Sequence, residues 1–171
     1  MSGVVIRDAR PDERAAVSEM TLAAYSEFAT VMAPTAWAGL ERAVRTALAA
    51  DDAAERIVAE RDGELVGSVM LYPASTDAYG GAAKRVSWPE LRLLAVAPGE
   101  RGGGVGRALV EECVSRARRA GATELGLHTS ASLAAAIRMY ERMGFQRNPE
   151  HDFHPEGGEL VTAYRLPLDA R

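Results

Sequence analysis

Arg101, Gly102, Gly103, Gly104, Val105 and Gly106 form the run with the most specific chemical potential in this chain. Glycine has no Cβ, so a ligand can approach the backbone of such a run closely. An apolar pattern begins inside it, with Val105, Leu109, Cys113, Val114 and Ala117 on one face, and this predicts a helix over residues 105–120. The first amides of a helix have no acceptor within it, and the helix dipole favours negative charge in front of them. A glycine-rich turn at that place suits a phosphate or pyrophosphate. Arg101 and Arg107 bracket the turn and can add charge-assisted contacts. Two better-known phosphate loops fail on residues. The nucleoside-triphosphate loop requires Lys and then Ser or Thr after its last glycine, where this chain has Val105 and Gly106. The dinucleotide fingerprint, begun by Gly102 and Gly104, requires a third glycine where Arg107 stands.

Other reactive side chains give weaker signals. His128 falls inside an expected strand and reads as a core histidine with satisfied nitrogens. His151, Asp152 and His154 make a compact polar cluster on a loop. Two histidines and one carboxylate without a fixed scaffold are a poor ligand set, so no metal is expected, and a loop bordering a binding site is the better use. Cys113 lies on the core-facing stripe and reads as packing. As the only cysteine it also precludes an intrachain disulfide.

The elements that must position these residues follow from periodicity and turn chemistry. A short strand at residues 4–7 leads into a helix that starts near Pro11 and runs to about Phe28. Trp37, Leu40, Val44 and Leu48 mark a second helix that ends near Ala50. Asp62 and Gly63 between apolar runs predict a hairpin of residues 56–60 and 64–73. Residues 75–85 form a Gly- and Ala-rich connection, and residues 87–96 a strand whose apolar end is buried on both faces. After the glycine run and its helix come a strand at 123–129, a helix at 133–143 capped by Ser132, a strand from Phe145, a polar excursion at 148–158 and a last strand at 160–168. The order β-α-α-β-β-β-α-β-α-β-β describes an α/β domain with a mixed central sheet of about 6–7 strands flanked by about four helices. The length of 171 residues fits one such domain. A net charge of -4 argues against nucleic-acid and anionic-membrane partners. No apolar stretch suits a signal peptide or a membrane span, so a cytoplasmic protein is expected.

Beyond these physical signals, the strand Glu90, Leu91, Arg92, Leu93, Leu94, Ala95, Val96, followed by Pro98 and the glycine run, resembles the acetyl-CoA signature of the GNAT superfamily of N-acetyltransferases. Its core, Arg/Gln-x-x-Gly-x-Gly/Ala, is met by Arg101, Gly104 and Gly106. Downstream, Tyr140, Glu141, Gly144 and Phe145 resemble the family's second signature, a helix that ends in Tyr-Glu-x-x-Gly-Phe. Clear resemblance covers about residues 90–145.

The resemblance implies acetyl-CoA as acyl-donor cosubstrate and direct attack of an amine on its thioester. It implies that the pyrophosphate rests on the amides of Gly102, Gly103, Gly104, Val105 and Gly106, with Arg101 and Arg107 nearby. It implies that the pantetheine arm runs along Leu94, Ala95 and Val96, where this strand and the next splay apart. Tyr140 is then the candidate acid beside the sulfur, Glu90 the candidate base, and the Val96 N–H a candidate oxyanion donor. Arg92 shares a face with Glu90 in a regular strand and would weaken Glu90 as a base by pairing with it. Many members carry Asn where this chain has Leu133; Ser130 and Ser132 are the available substitutes. The acceptor, a small-molecule or peptide amine, should be recognised by the first two helices, residues 75–85 and residues 148–158, with Tyr25, Phe28, Trp37, Tyr79, Trp88 and Phe153 as candidate walls. Homodimerisation is a family habit. The rival expectation is a non-catalytic acyl-CoA-binding sensor or interaction domain of the same fold.

Overall fold

The apolar runs around Asp62 and Gly63 do form a hairpin. In the computed structural model, which describes residues 3–79, 81 and 83–169, β2 (Glu55–Arg61) and β3 (Glu64–Tyr72) pair antiparallel. Both turn residues take positive φ, 54° and 82°. Met1 and Ser2 of the N-terminal stretch, and Gly80 and Ala82 of the 75–85 connection, lie outside the described residues.

Among the described residues the remaining elements are β1 (Val5–Asp8), α1 (Arg14–Tyr25), α2 (Pro34–Ala49), β4 (Glu90–Val96), α3 (Val105–Arg119), β5 (Glu124–Ser130), α4 (Ala134–Arg142), β6 (Gln146–Arg147) and β7 (Val161–Pro167). They build one seven-stranded sheet in the order β1-β2-β3-β4-β5-β7-β6, with β4 and β5 its parallel pair. The α/β architecture expected from the order of elements is therefore present. Among the described residues no helix is long and apolar enough to cross a membrane.

The sheet separates two apolar cores. On one face α3 and α4 cover Leu91, Leu125 and Leu127 together with Val105, Leu109 and Cys113. On the other face α1 and α2 cover Met70, Tyr72, Leu93 and Ala95. Gly67 in β3 lets α3 close on the sheet, because a Cβ there would meet Val105 Cγ1 at 2.9 Å and Leu109 Cδ1 at 3.0 Å. The start of α3 is thus held directly against the strands.

Two expectations change. The first helix is shorter than its apolar pattern, since the chain tightens into 3-10 turns at Pro11–Glu13 and Ser26–Thr30 on either side of α1. Ser132 does not cap α4; its hydroxyl bonds the Glu159 carboxylate at 2.8 Å, and α4 begins after Leu133 with no side-chain cap. A partner distant in sequence wins over the local one.

The entry to α1 is fixed by charge. Glu13 accepts from Arg7 at 2.7 and 2.9 Å and from the Arg10 N–H at 2.7 Å, while Arg7 also reaches Glu60 on β2 at 2.7 Å. The hydrogen bonds from Arg7 come first among the causes that lower the Glu13 pKa from 4.5 to about 2. A depressed carboxylate stabilises the fold above its unfolded pKa, and that contribution is lost as pH falls through the folded value. Between pH 4.5 and about 2 the protein should lose on the order of 1–2 kcal/mol from this group, after allowance for solvent screening. Denaturant titrations across that window check this: Glu13→Gln should be less stable at neutral pH and show a flatter acid limb.

Candidate active site

The backbone of β4 defines the site. Its antiparallel register with β3 shifts between Ser68 and Met70, and Leu93 adopts φ 57°, the left-handed region that a leucine occupies only at a cost. This is a β-bulge, which bends a strand and increases its twist. It also changes which way the side chains point: Leu91, Leu94 and Val96 pack on the α3–α4 face, whereas Leu93 and Ala95 pack on the α1–α2 face. Pairing with β5 stops at the bulge, since only Glu90 with Gly126 and Leu91 with Leu127 are in register.

Beyond Leu91, β4 and β5 are therefore splayed. Ala97 N–H donates to Val66 C=O at 2.9 Å, so the adjoining Gly67–Val96 pair is the wide, unbonded kind, and the Val96 N–H faces away from β3 into the splay. Of the residues expected to line a pantetheine arm, Leu94 and Val96 border this opening and Ala95 turns its side chain to the opposite core.

The glycine run sits beside the same opening. Gly102 and Gly104 take φ 80° and 85°, conformations that glycine adopts without strain. The first helical bond of α3 runs from Ala108 N–H to Gly104 C=O at 3.0 Å, so the amides of Val105, Gly106 and Arg107 lack helical acceptors. The Val105 side chain is 1% exposed and belongs to the core, which leaves only its amide for a ligand. A Cβ on Gly106 would lie 3.5 Å from Val96 Cγ2 and 3.6 Å from Met139 Sδ, which places Gly106 between β4 and α4. Arg101 pairs with Glu27 and reaches Ala24 C=O, and Arg107 pairs with Glu111 at 2.8 Å. Both arginines flank the run with their charge already partly neutralised.

Tyr140 is 5% exposed on α4, edge-on to Phe145 at 5.6 Å, and its hydroxyl makes no side-chain hydrogen bond among the described residues. Burial, with Tyr25 and Cys113 adding to it, pushes its phenol well above the ordinary value. It stays protonated at neutral pH and suits a proton donor.

Glu90 is 4% exposed, and its partner is not Arg92. Oε2 lies 2.9 Å from His128 Nδ1, and His128 Nε2 lies 2.9 Å from His151 C=O. A carbonyl only accepts, so Nε2 carries a hydrogen. The Nδ1–Oε2 contact then needs one further proton between a carboxyl and a neutral ring or between a carboxylate and an imidazolium. The pair is a shared-proton unit. His128 is the satisfied histidine the sequence suggests, but its partner is the candidate base, and sequence reading missed that link. The signal was parity: with Glu90 opposite Gly126, His128 lies two residues on and faces the same side. Trp88 holds the start of β4 there, lying over Gly126 and against the Arg165 guanidinium at 5.0 Å. Arg92 turns instead to Ala78 C=O at 2.9 Å and over the Tyr79 ring at 4.6 Å.

A cavity of about 260 Å³ opens on this face, walled by α2, β4, β5 and the segment after β6. Tyr25, Tyr79 and Phe153 line it, as expected, together with Arg92 and His128. Phe28 and Trp37 pack behind it and Trp88 stands off it. The Tyr79 hydroxyl is buried without a partner among the described residues, and burial, then the Glu90 charge, hold its pKa well above the usual phenol range. Asp152 is engaged by Arg147 at 2.8 Å and by Ala163 N–H at 2.7 Å, His151 by Asn148 at 3.0 Å, and His154 is exposed. These three residues build the loop and do not converge. The Ser132 bond to Glu159 removes it as a stand-in at the Leu133 position, which leaves Ser130 at the end of β5.

Over residues 18–145 the chain matches the acetyltransferase (GNAT) family. A mycothiol acetyltransferase of Cellulomonas flavigena is 36% identical over 98 residues, which cover 56% of this chain and 28% of that protein, so the chain spans little more than a quarter of its length. A GNAT-family structure from Desulfovibrio desulfuricans superposes with a TM-score of 0.67 at 25% identity, covering 98% of this chain and 100% of that one. A GNAT-family acetyltransferase from Brucella melitensis, solved in complex with acetyl-CoA, gives a TM-score of 0.61 at 23% identity over 99% of this chain and 90% of that one, a likeness of fold.

Gly106→Val tests the opening between β4 and α4. Its branched side chain would project toward Val96 and Met139 in the opening. Calorimetric affinity for acetyl-CoA, the ligand of the Brucella relative, should fall at least about tenfold, equivalent to about 1.4 kcal/mol, while the melting temperature moves little. Equal loss of fold and affinity would make the glycine purely structural.

Proposed function

The chain belongs to the GNAT acetyltransferase family, and on that premise we propose that it moves the acetyl group of acetyl-CoA to a primary amine by direct attack on the thioester. One observation carries the reading: unpaired backbone N–H groups converge where the splayed end of β4 meets the first turn of α3. Acetyl-CoA fits that corner, because the glycines leave the amides uncovered and the splay leaves strand hydrogen bonds unmade. When bound, it supplies an acyl group already activated as a thioester.

The protein's own groups then have separable tasks. The amides of residues 102–107 and the guanidinium groups of Arg101 and Arg107 hold the pyrophosphate. Arg101 gives up part of its pairing with Glu27 to do so. Leu94, Ala95 and Val96 offer strand backbone to the pantetheine arm. The Val96 N–H donates to the carbonyl oxygen as negative charge develops there. An alkylamine, with a pKa near 10.4, arrives mostly protonated, so a base must take its proton. Glu90 does this at Oε1, because Oε2 is bound to His128, and it does so only with the shared proton on His128, since a carboxyl cannot take a second proton; His128 is a positioning residue that holds the carboxylate. Tyr140 donates to the departing sulfur. The whole chain acts as a single domain in the cytoplasm on a small-molecule or peptide amine, without nucleic acid, membrane or metal, and as a homodimer if it follows family habit.

Release of free CoA thiol across a panel of amines tests the proposal. Saturating acetyl-CoA should raise the melting temperature, as preferential binding to the folded state requires. Glu90→Gln should lower kcat by about 10²-fold or more, and Tyr140→Phe by about tenfold or more, each with acetyl-CoA affinity largely kept. Binding without thiol release from any amine would make the protein a sensor of the same fold; no binding would remove the acetyl-CoA reading.

A further inference from the structure

The cavity on the α1–α2 face holds a guanidinium that forms no ion pair among the described residues. Arg92 is half-buried in its wall. Its guanidinium donates to Ala78 C=O at 2.9 Å and stacks over the Tyr79 ring at 4.6 Å. Its positive charge is felt at the Tyr25, Tyr72 and Tyr79 phenols, which surround it. Among the described residues it forms no ion pair, and the exposed Arg42, which lines the same cavity, forms none either. Glu90, two residues away on the same strand face, is taken by His128. Withdrawing a guanidinium from water without a counter-charge is costly, and the planar fork that remains is matched to a carboxylate.

Much of the rest of the wall is apolar and aromatic, with Arg42, His128, Thr129 and Ser130 as further polar lining. Tyr25 and Leu40 come from α1 and α2, Met32 and Leu133 from the residues just before α2 and α4, and Tyr79 and Phe153 from the two loops. Two acids also line the cavity: Glu159, which is bonded to Ser132, and the exposed Glu156. A volume of about 260 Å³ lies just below the roughly 300–1,000 Å³ of pockets that take drug-sized ligands. It suits one compact molecule.

We propose that the acceptor is a free α-amino acid with an apolar or aromatic side chain, whose carboxylate is bound by Arg92 and whose amine is thereby turned toward Glu90 and the splayed end of β4. This rests on the acetyl-transfer reading above and narrows it. It excludes polyamines and the N-termini of peptides, which carry no α-carboxylate beside the amine. The covalent step keeps its balance: the amine nitrogen gains the acetyl carbon, its proton passes to Glu90, and the thiolate leaves and is protonated. Arg92 exchanges no proton and acts only by binding.

Matched ligands test this. Phenylalanine, phenylalaninamide and phenethylamine would be compared for kcat/KM with acetyl-CoA, and for equilibrium binding to the CoA-saturated protein. The free acid should exceed both others at least tenfold in each measurement. The amide's amine is the less basic, so a preference for the acid would not come from easier deprotonation. Arg92→Gln should bring the ratio of acid to amide close to one, and Arg92→Lys should keep part of it. If the acid binds preferentially but no thiol is released, the acceptor class stands and the acetyl-transfer reading fails. If the amide or the decarboxylated amine matches the acid, or if Arg92→Gln folds and leaves the ratio unchanged, the inference is overturned. Leucine and its amide serve as a second pair; a reversed preference there also counts against it.

Discussion

The structure depends on a pairing that is not made. Parallel strands normally satisfy their inner N–H and C=O groups against each other, and a buried group left without a partner costs about 1–3 kcal/mol. In this chain β4 and β5 stay in register for two residue pairs and then part. The bulge at Leu93, with its left-handed backbone, bends β4 at the point where pairing ends. The Val96 N–H is left facing an opening between two otherwise continuous halves of the sheet. The proposed pantetheine pose would complete the strand there, using the N–H that β5 leaves without a partner strand.

Several parts of the molecule serve to hold that gap in place. Gly67 lets α3 lie close against β3, which brings the uncovered amides at the helix start to the mouth of the splay. Trp88, Glu90 and His128 lock the other end of β4 to β5 and the loop around His151. The gap thus opens between two anchored ends. The two faces then divide the labour. The α3–α4 side carries the amides at the start of α3 that lack helical acceptors, and the protonated Tyr140 phenol. The α1–α2 side has a small, largely aromatic cavity lined by His128, the partner of Glu90, and by the Arg92 guanidinium.

Much of this was legible in the sequence because it is local. The period of the apolar residues located β4, α3, β5 and α4 to within about three residues, and Asp62 with Gly63 located the hairpin. The glycine run marked the start of α3, where Gly102 and Gly104 take positive φ and the first amides lack helical acceptors. What was not legible depends on contacts distant in the chain. The pairing of Glu90 with His128 requires knowing that Glu90 stands opposite Gly126. Arg92 turns to Ala78 and Tyr79, because His128 has already taken the carboxylate. Ser132 looked like a helix cap, because nothing local revealed that Glu159 would claim its hydroxyl. The bulge at Leu93 has no signature, since a leucine rarely adopts that conformation and does so here because the surrounding sheet imposes it.

The proposed binding surface consists of peptide N–H groups at the parted strands and at the start of α3. Residue-resolved amide hydrogen exchange, with and without saturating CoA, measures those groups themselves. Protection should rise at Val96 and across Gly104 to Arg107, with little change in β1 or β2. Unchanged exchange at these amides while CoA is demonstrably bound would contradict that proposal.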